Sequence, residues 1–235
     1  MIDEIIVSGK WEFDKNVTDV FENMLIRSIP QYDVMRELVF RIGERFVIPN
    51  TCIIDLGCSN GLAIEPFINK FGAQNTYKLF DESKPMLEAC RKEYNGWEKA
   101  GIVDIKEYDL RQGVPSVPSS LILSILTLQF TPIEYRQKIV KSVYDSLHCG
   151  GAFILVEKVI GGCNDIDEMF TEEYLQLKRR NLYTQEQIDK KRKSLEGVLV
   201  PITESWNVDM LKNAGFKKVE CFWRCLNFCG WIAIK

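Results

Sequence analysis

The 235-residue chain contains a single histidine, His148, and no C-x-x-C pair among its eight cysteines. A nucleophilic triad built on imidazole is therefore not expected, and a zinc site would have to be assembled from scattered thiols, so no metal is expected either. Neither sign of charge dominates: 30 basic and 33 acidic residues leave a net charge of −3. Nothing in that balance draws the chain to nucleic acid or to an anionic membrane. No apolar run approaches the roughly 20 residues that span a bilayer, and the polar start Met1-Ile-Asp-Glu4 lacks the pattern of a secretory leader. A cytoplasmic protein with reduced thiols is the expectation. Cys221, Cys225 and Cys229, spaced by four, could share one strand face. Internal repeats and low-complexity stretches are absent from the sequence.

What the chain does have is material for a core: 46% hydrophobic and 11% aromatic residues. Its length suits one large α/β domain, or a domain with an added helical element. The stretch that organises it is Thr51-Cys-Ile-Ile-Asp-Leu-Gly-Cys-Ser-Asn-Gly61. An apolar run that reads as a buried strand meets Asp55 and then two glycines, Gly57 and Gly61, which allow a tight turn and close approach to a ligand. Apolar residues at helical spacing follow from Leu62. Strand, glycine loop and helix form the unit that binds nucleotides at a helix N-terminus. Ser59 stands where the dinucleotide fingerprint has its second glycine, so that fingerprint is not met. Asp55-x-Gly57-x-x-x-Gly61 instead resembles the first motif of Rossmann-like methyltransferases that bind S-adenosylmethionine.

Further strands carry the pattern on. Thr76–Phe80 ends in Asp81-Glu82, with Asp81 twenty residues beyond Gly61, the spacing at which an acid meets ribose hydroxyls. Ser83 is placed to cap the next helix. Val103–Leu110 is a third strand; its Asp109 could accept from an adenine amino group while Leu110 packs near the ring. Leu121–Phe130 is a near-continuous apolar run, as in a central parallel strand. A helix from Thr131-Pro132 to about Leu147 is ended by Gly150-Gly151, and Ala152–Val156 forms a fifth strand. Phe216–Arg224 and Gly230–Lys235 close the chain as an antiparallel pair. The fold expected is α/β and Rossmann-like: a mostly parallel seven-stranded sheet with an antiparallel C-terminal hairpin.

Two helical regions are added to that frame. Residues about 1–48 hold a helix that stops near Pro30 and a second over 33–47, placed either as a lid over a cofactor cleft or as plain packing. Residues about 164–200 are charge-rich helices with Lys178-Arg-Arg180 and Lys190-Lys-Arg-Lys193. These charges suit a solvated surface, and direct nucleic-acid binding is not expected from the net charge. One arginine among them could instead reach a cleft and hold a carboxylate.

The assembled motifs resemble the carboxy-S-adenosyl-L-methionine synthases of the tRNA wobble-uridine modification pathway, over nearly the whole chain. The likeness is carried by Trp11-x-Phe-Asp14, Arg27-Ser-Ile-Pro-x-Tyr32, Asp55-Leu-Gly-Cys-Ser59, Thr127-Leu-Gln-Phe130, Glu157-Lys158, Lys178-Arg179, Tyr183, Lys191-Arg192 and Asn227-Phe228. It implies a homodimeric transferase in which S-adenosyl-L-methionine loses a methyl proton, and the resulting ylide captures carbon dioxide from prephenate. It implies that Tyr32, Gly57, Cys58, Ser59, Asp81, Glu82, Asp109, Leu110 and Ile125 line the cofactor site. Tyr32 would lie at the sulfonium end, and Arg192, from its own or the partner subunit, would pair with the new carboxylate. The base arrives with the substrate, so one histidine is no obstacle. Ile125 and Glu82 stand where the family has asparagines, and at Ile125 only a backbone contact remains. An ordinary methyltransferase with another acceptor is the alternative.

Overall fold

The computed structural model describes residues 3, 5 and 9–235; the reading of the Met1–Glu4 start falls largely outside them. In chain order the elements are α1 (Lys15–Ser28), α2 (Tyr32–Gly43), β1 (Cys52–Leu56), α3 (Glu65–Phe71), β2 (Thr76–Asp81) and α4 (Lys84–Lys99). Next come β3 (Val103–Glu107), β4 (Ser119–Ile125), α5 (Ile133–Ser146) and β5 (Leu147–Ile160). The chain finishes with α6 (Asn164–Arg180), α7 (Gln185–Leu195), β6 (Ile202–Thr203), α8 (Glu204–Ala214), β7 (Lys218–Cys225) and β8 (Phe228–Ile234).

The strands lie in the order β3-β2-β1-β4-β5-β8-β7, with β6 pairing beside the end of β5. Pairing is parallel from β3 to β5 and antiparallel for β8 and β7, as expected. Apolar side chains alternate between the two faces, so the sheet has a core on each side. Ile53, Leu79, Leu123 and Ile154 pack with Met35 and Val39 of α2, Phe67 of α3 and Leu87 of α4. Ile54, Phe80, Ile122 and Phe153 pack with Ile139 and Val143 of α5 and Met210 and Leu211 of α8. The chain leaves β1 toward β2 on one side and reaches β4 on the other. That reversal opens a crevice at the carboxyl ends of β1 and β4, where ligands bind in open α/β sheets.

Local chemistry sets the helix starts. Asp14 caps α1 by accepting from the Val17 amide at 2.9 Å, and Ser83 caps α4 through the Met86 amide at 3.3 Å. A capping box of Thr184 and Gln187 opens α7. Several element boundaries depart from expectation. The helix after the glycine loop begins at Glu65, not Leu62, because turn residues intervene. β3 ends at Glu107, and Asp109 caps a short turn, Leu110–Gln112. β4 ends at Ile125, where Leu126 takes a left-handed φ of 61° that a strand cannot continue. β5 starts at Leu147 and runs through Gly150-Gly151 instead of after it, since Gly150 absorbs a φ of 80°. The three late cysteines do not share a strand face: Cys221 and Cys225 lie on β7, Cys229 on β8, and a register irregularity follows Cys221.

Candidate active site

The crevice is a cavity of about 800 Å3, large for a small-molecule site at ~300–1,000 Å3. Its floor is the loop after β1. The Gly57 and Cys58 amides both donate to the Phe80 carbonyl, at 2.8 and 2.9 Å, which folds the loop back over β2. Gly57 has a φ of +73°, and a Cβ there would lie 2.3 Å from the Thr127 side chain. Gly61 has a φ of +89°, and a Cβ would lie 2.4 Å from Tyr94. Both positions need glycine for conformation and for space. Ser59 also has a positive φ, 49°, and its amide donates to the Asp81 carboxylate at 2.9 Å. Such a conformation at a non-glycine residue stores strain that the surrounding hydrogen bonds hold in place.

Tyr32, Gly57, Cys58, Ser59, Asp81, Glu82, Asp109, Leu110 and Ile125 all line this one cavity. Asp81 sits at the end of β2, its second oxygen accepting from the Ser83 amide at 2.8 Å. Burial raises its carboxyl above the usual range despite these amides. Each oxygen keeps a lone pair for a further donor, such as a diol. Glu82 is raised as well, by burial and by its hydrogen bond to Asp109. Asp109 differs from expectation. The Arg111 guanidinium grips both its oxygens, from Nε at 2.8 and 2.9 Å, and holds its carboxyl down at about 2. Most of its accepting capacity is already taken.

Beneath the loop, Asp55 is fully buried and neither of its carboxylate oxygens has a partner among the described residues. Burial pushes it up to about 7, against the pull of Arg36. Asn60 Oδ1, on a residue that lines the cavity, is likewise buried without a partner. The unpaired Asn60 acceptor at the cavity wall fits a ligand that carries an ammonium group. Tyr32 is buried at the start of α2, with the Arg36 guanidinium 5.8 Å from its ring.

Arg192 stays outside this place, although its charge is near enough to Lys158 to lower that lysine. It lies exposed on α7, does not line the cavity, and makes no hydrogen bond or ion pair among the described residues. Its neighbour Lys191 does line it, together with Lys158 of β5 and Lys178 of α6. Burial pushes Lys178 down to about 7 and Lys191 to about 8. These lysines lie within the family-like motifs of the sequence, where no role attaches to them. The signal was helical spacing: Lys191 shares a face with Ile188 and Leu195, and Lys178 lies one turn after Tyr174, whereas Arg180 and Lys193 point outward. Residues 11–14 and α1 also form part of the wall, through Trp11, Phe13, Phe21 and Met24. Glu204, Cys221 and Cys229 hold ligand atoms within 4.8 Å of one another but lie away from the cavity, and the Glu204 carboxylate is paired with Arg224.

A carboxy-S-adenosyl-L-methionine synthase of Methylococcus capsulatus is 38% identical over 224 residues, 95% of this chain and 93% of its own. The chain belongs to the carboxy-S-adenosyl-L-methionine synthase family. A synthase of Histophilus somni is 33% identical over 97% of this chain and 94% of its own. The methyltransferase-domain family matches residues 53–151, from β1 to the early part of β5. Among solved structures, an O-methyltransferase family protein from Burkholderia thailandensis aligns with a TM-score of 0.66 at 16% identity, covering 94% of this chain and 60% of its own. Human N-acetylserotonin methyltransferase in complex with SAM gives 0.60 at 13% identity, over 94% of this chain and 55% of its own. The family's fold is thus the methyltransferase fold seen here, and the protein is a transferase enzyme.

Proposed function

We propose that the enzyme binds S-adenosyl-L-methionine in this cavity and converts it to carboxy-S-adenosyl-L-methionine, with prephenate as carboxyl donor. The observation that carries the proposal is convergence. Nine residues implied by the family motifs, spread from Tyr32 to Ile125, line a single cavity. The parts fit the ligand: Asp81 for the ribose diol, Leu110 beside the base, and the Gly57–Ser59 loop with Asn60 for the amino-acid end.

Bound S-adenosyl-L-methionine would supply a methyl group made acidic by its sulfonium. The donor brings the base: as prephenate loses carbon dioxide and aromatises, it expels its ring hydroxyl, which leaves as water with the methyl proton. The methyl carbon bonds the carbon dioxide, so the atoms and charges balance. The chain's residues then have three tasks: to hold the two reactants together, to exclude bulk water, and to match the carboxylate that forms. Helix α1 and residues 11–14 serve as the cover. Arg192 serves as the carboxylate anchor, and its exposure on α7, without a partner among the described residues, suits a side chain supplied to the neighbouring subunit of a homodimer. The product would be handed to a separate enzyme that modifies tRNA wobble uridine.

Incubation with S-adenosyl-L-methionine and prephenate, read by mass spectrometry, tests the reaction. Product heavier by one carbon dioxide is the expected result. A cofactor that stays unmodified, or that only loses its methyl group to another acceptor, would establish an ordinary methyltransferase instead. Arg192→Ala is expected to weaken binding of the carboxylated cofactor by ~1.5–3 kcal/mol while leaving S-adenosyl-L-methionine nearly untouched; titration calorimetry with the two ligands separates these. Equal losses would remove Arg192 from that role.

A further inference from the structure

Lys158, Lys178 and Lys191 come from three different elements and meet at one wall of the cavity. Each ammonium rests on aromatic faces. Lys158 Nζ lies 4.9 Å from the Tyr174 ring centroid and Lys178 Nζ 5.3 Å from it. Lys178 is also 5.3 Å from the Tyr183 ring, and Lys191 is 4.7 Å from Trp11. Lys178 is only 5% exposed.

Among the described residues, negative charge does not match this concentration. Among the described residues the only carboxylate in ion-pair range is Asp3, with Oδ2 at 3.9 Å from Lys191, and it is already bonded by the Tyr183 hydroxyl. Asp167 adds a weaker attraction for Lys158, but its Oδ1 is bonded to the Gly161 amide. Arg27 and Arg192 add further positive charge nearby. Three ammonium groups removed from water and facing one another are unfavourable unless an anion joins them or protons leave. Burial pushes all three lysines down; Lys191 and Lys158 add to the effect at Lys178, Arg192 at Lys158 and Arg27 at Lys191.

Topology separates this wall from the acids. Asp81 and Asp109 follow β2 and β3, while Lys158 is on β5, on the far side of β1 and β4. Three strand spacings, roughly 14 Å, lie between the ends of β2 and β5. The glycine loop is between them.

We infer that Lys158, Lys178 and Lys191 form a second-substrate subsite that binds a dicarboxylate, the carboxyl donor, beside the cofactor. The inference rests on the reading of the cavity given above and adds residues to it. Two carboxylates match three cations without a metal, and the aromatic walls suit a hydrophobic ring between them. The lysines position the donor; they take no part in bond making.

The test measures donor and cofactor binding separately in the full-length protein, by calorimetry and by fluorescence of Trp11, which touches Lys191. Lys178→Met and Lys191→Met are expected to raise the KM and Kd for prephenate at least ~10-fold and to change S-adenosyl-L-methionine affinity less than ~2-fold. Lys178→Arg is expected to recover most of the donor binding. Phenylacetate, a single carboxylate, is expected to bind the wild type more weakly and to be less sensitive to either change. Unchanged prephenate affinity in the double Met variant, or an equal loss of cofactor affinity, overturns the subsite. If the wild type makes carboxylated product and the double variant makes it with the same KM, the subsite fails and the reaction stands. If the wild type binds prephenate in a lysine-dependent way but makes no such product, the subsite stands and the reaction fails.

Discussion

Gly57 shows what a single residue decides in this enzyme. Its positive φ would by itself cost a side chain about 1–2 kcal/mol. Overlap with Thr127 at 2.3 Å adds a packing cost of about 1–3 kcal/mol. Thr127 cannot easily yield, because the next amide, that of Leu128, is bonded to the buried Glu157 at 2.9 Å. Gly57→Ala is therefore expected to lower stability by ~2–5 kcal/mol in urea denaturation and to weaken cofactor binding in parallel. Gly150 supplies the control. It has a φ of +80°, but a Cβ there would meet no atom within 4 Å, so Gly150→Ala is expected to cost only ~1–2 kcal/mol and to leave ligand binding intact. Similar losses at the two glycines would show that conformation alone, not the close approach to Thr127, governs the loop.

At the scale of elements, the turn after β4 and the end of β5 hold one another. Gln129 Oε1 accepts from the Lys158 amide at 2.8 Å, and Arg136 donates to the carbonyls of Gln129 and Val200 at 3.2 and 2.8 Å. This lattice sets both the Thr127 wall and the backbone from which Lys158 projects. Gln129→Ala should destabilise by ~1–3 kcal/mol, since it leaves a buried amide unpaired, and hydrogen exchange should rise first at Lys158. If exchange rises evenly along the chain instead, the contact is not local in effect. Such ties explain what was legible beforehand. The strands β1, β2 and β4 could be read from apolar runs, and the cap of α4 from Ser83, because those signals are local. The ends of β4 and β5 could not, since Leu126 and Gly150 adopt conformations fixed by tertiary contacts. Of the candidate site, Gly57, Gly61 and Asp81 were legible from spacing and Asp109 and Leu110 from their place at a strand end, whereas Tyr32, Cys58, Ser59, Glu82 and Ile125 came from the family resemblance alone. The lysines were hidden in charged helices, where only the side that faces the cavity distinguishes Lys178 from Arg179 and Lys191 from Arg192.

For the whole molecule, the buried charges make stability depend on pH in an unusual sense. Asp55 is raised from 3.8 to about 7 and Glu157 from 4.5 to about 8 by burial. Above pH 5 the folded protein keeps protons there that the unfolded chain has released, so stability falls as pH rises through these values. Lys178 and Lys191 are lowered from 10.5 to about 7 and about 8. Above those values the unfolded chain holds protons that the folded protein has lost, so stability rises again toward pH 10. The protein without ligands should therefore be least stable near pH 7–8, with limbs changing by up to about 1.4 kcal/mol per pH unit for each proton. Urea midpoints over pH 5–10 measure this. Asp55→Asn and Glu157→Gln should flatten the acid limb, and Lys178→Met with Lys191→Met the alkaline one. Prephenate should lift the minimum, because a dianion between the lysines keeps them charged and binds only the folded state. A wild-type maximum near neutral pH, unmoved by prephenate, would mean that water or counter-ions already relieve these groups, and the charge imbalance at the lysine wall would lose its force.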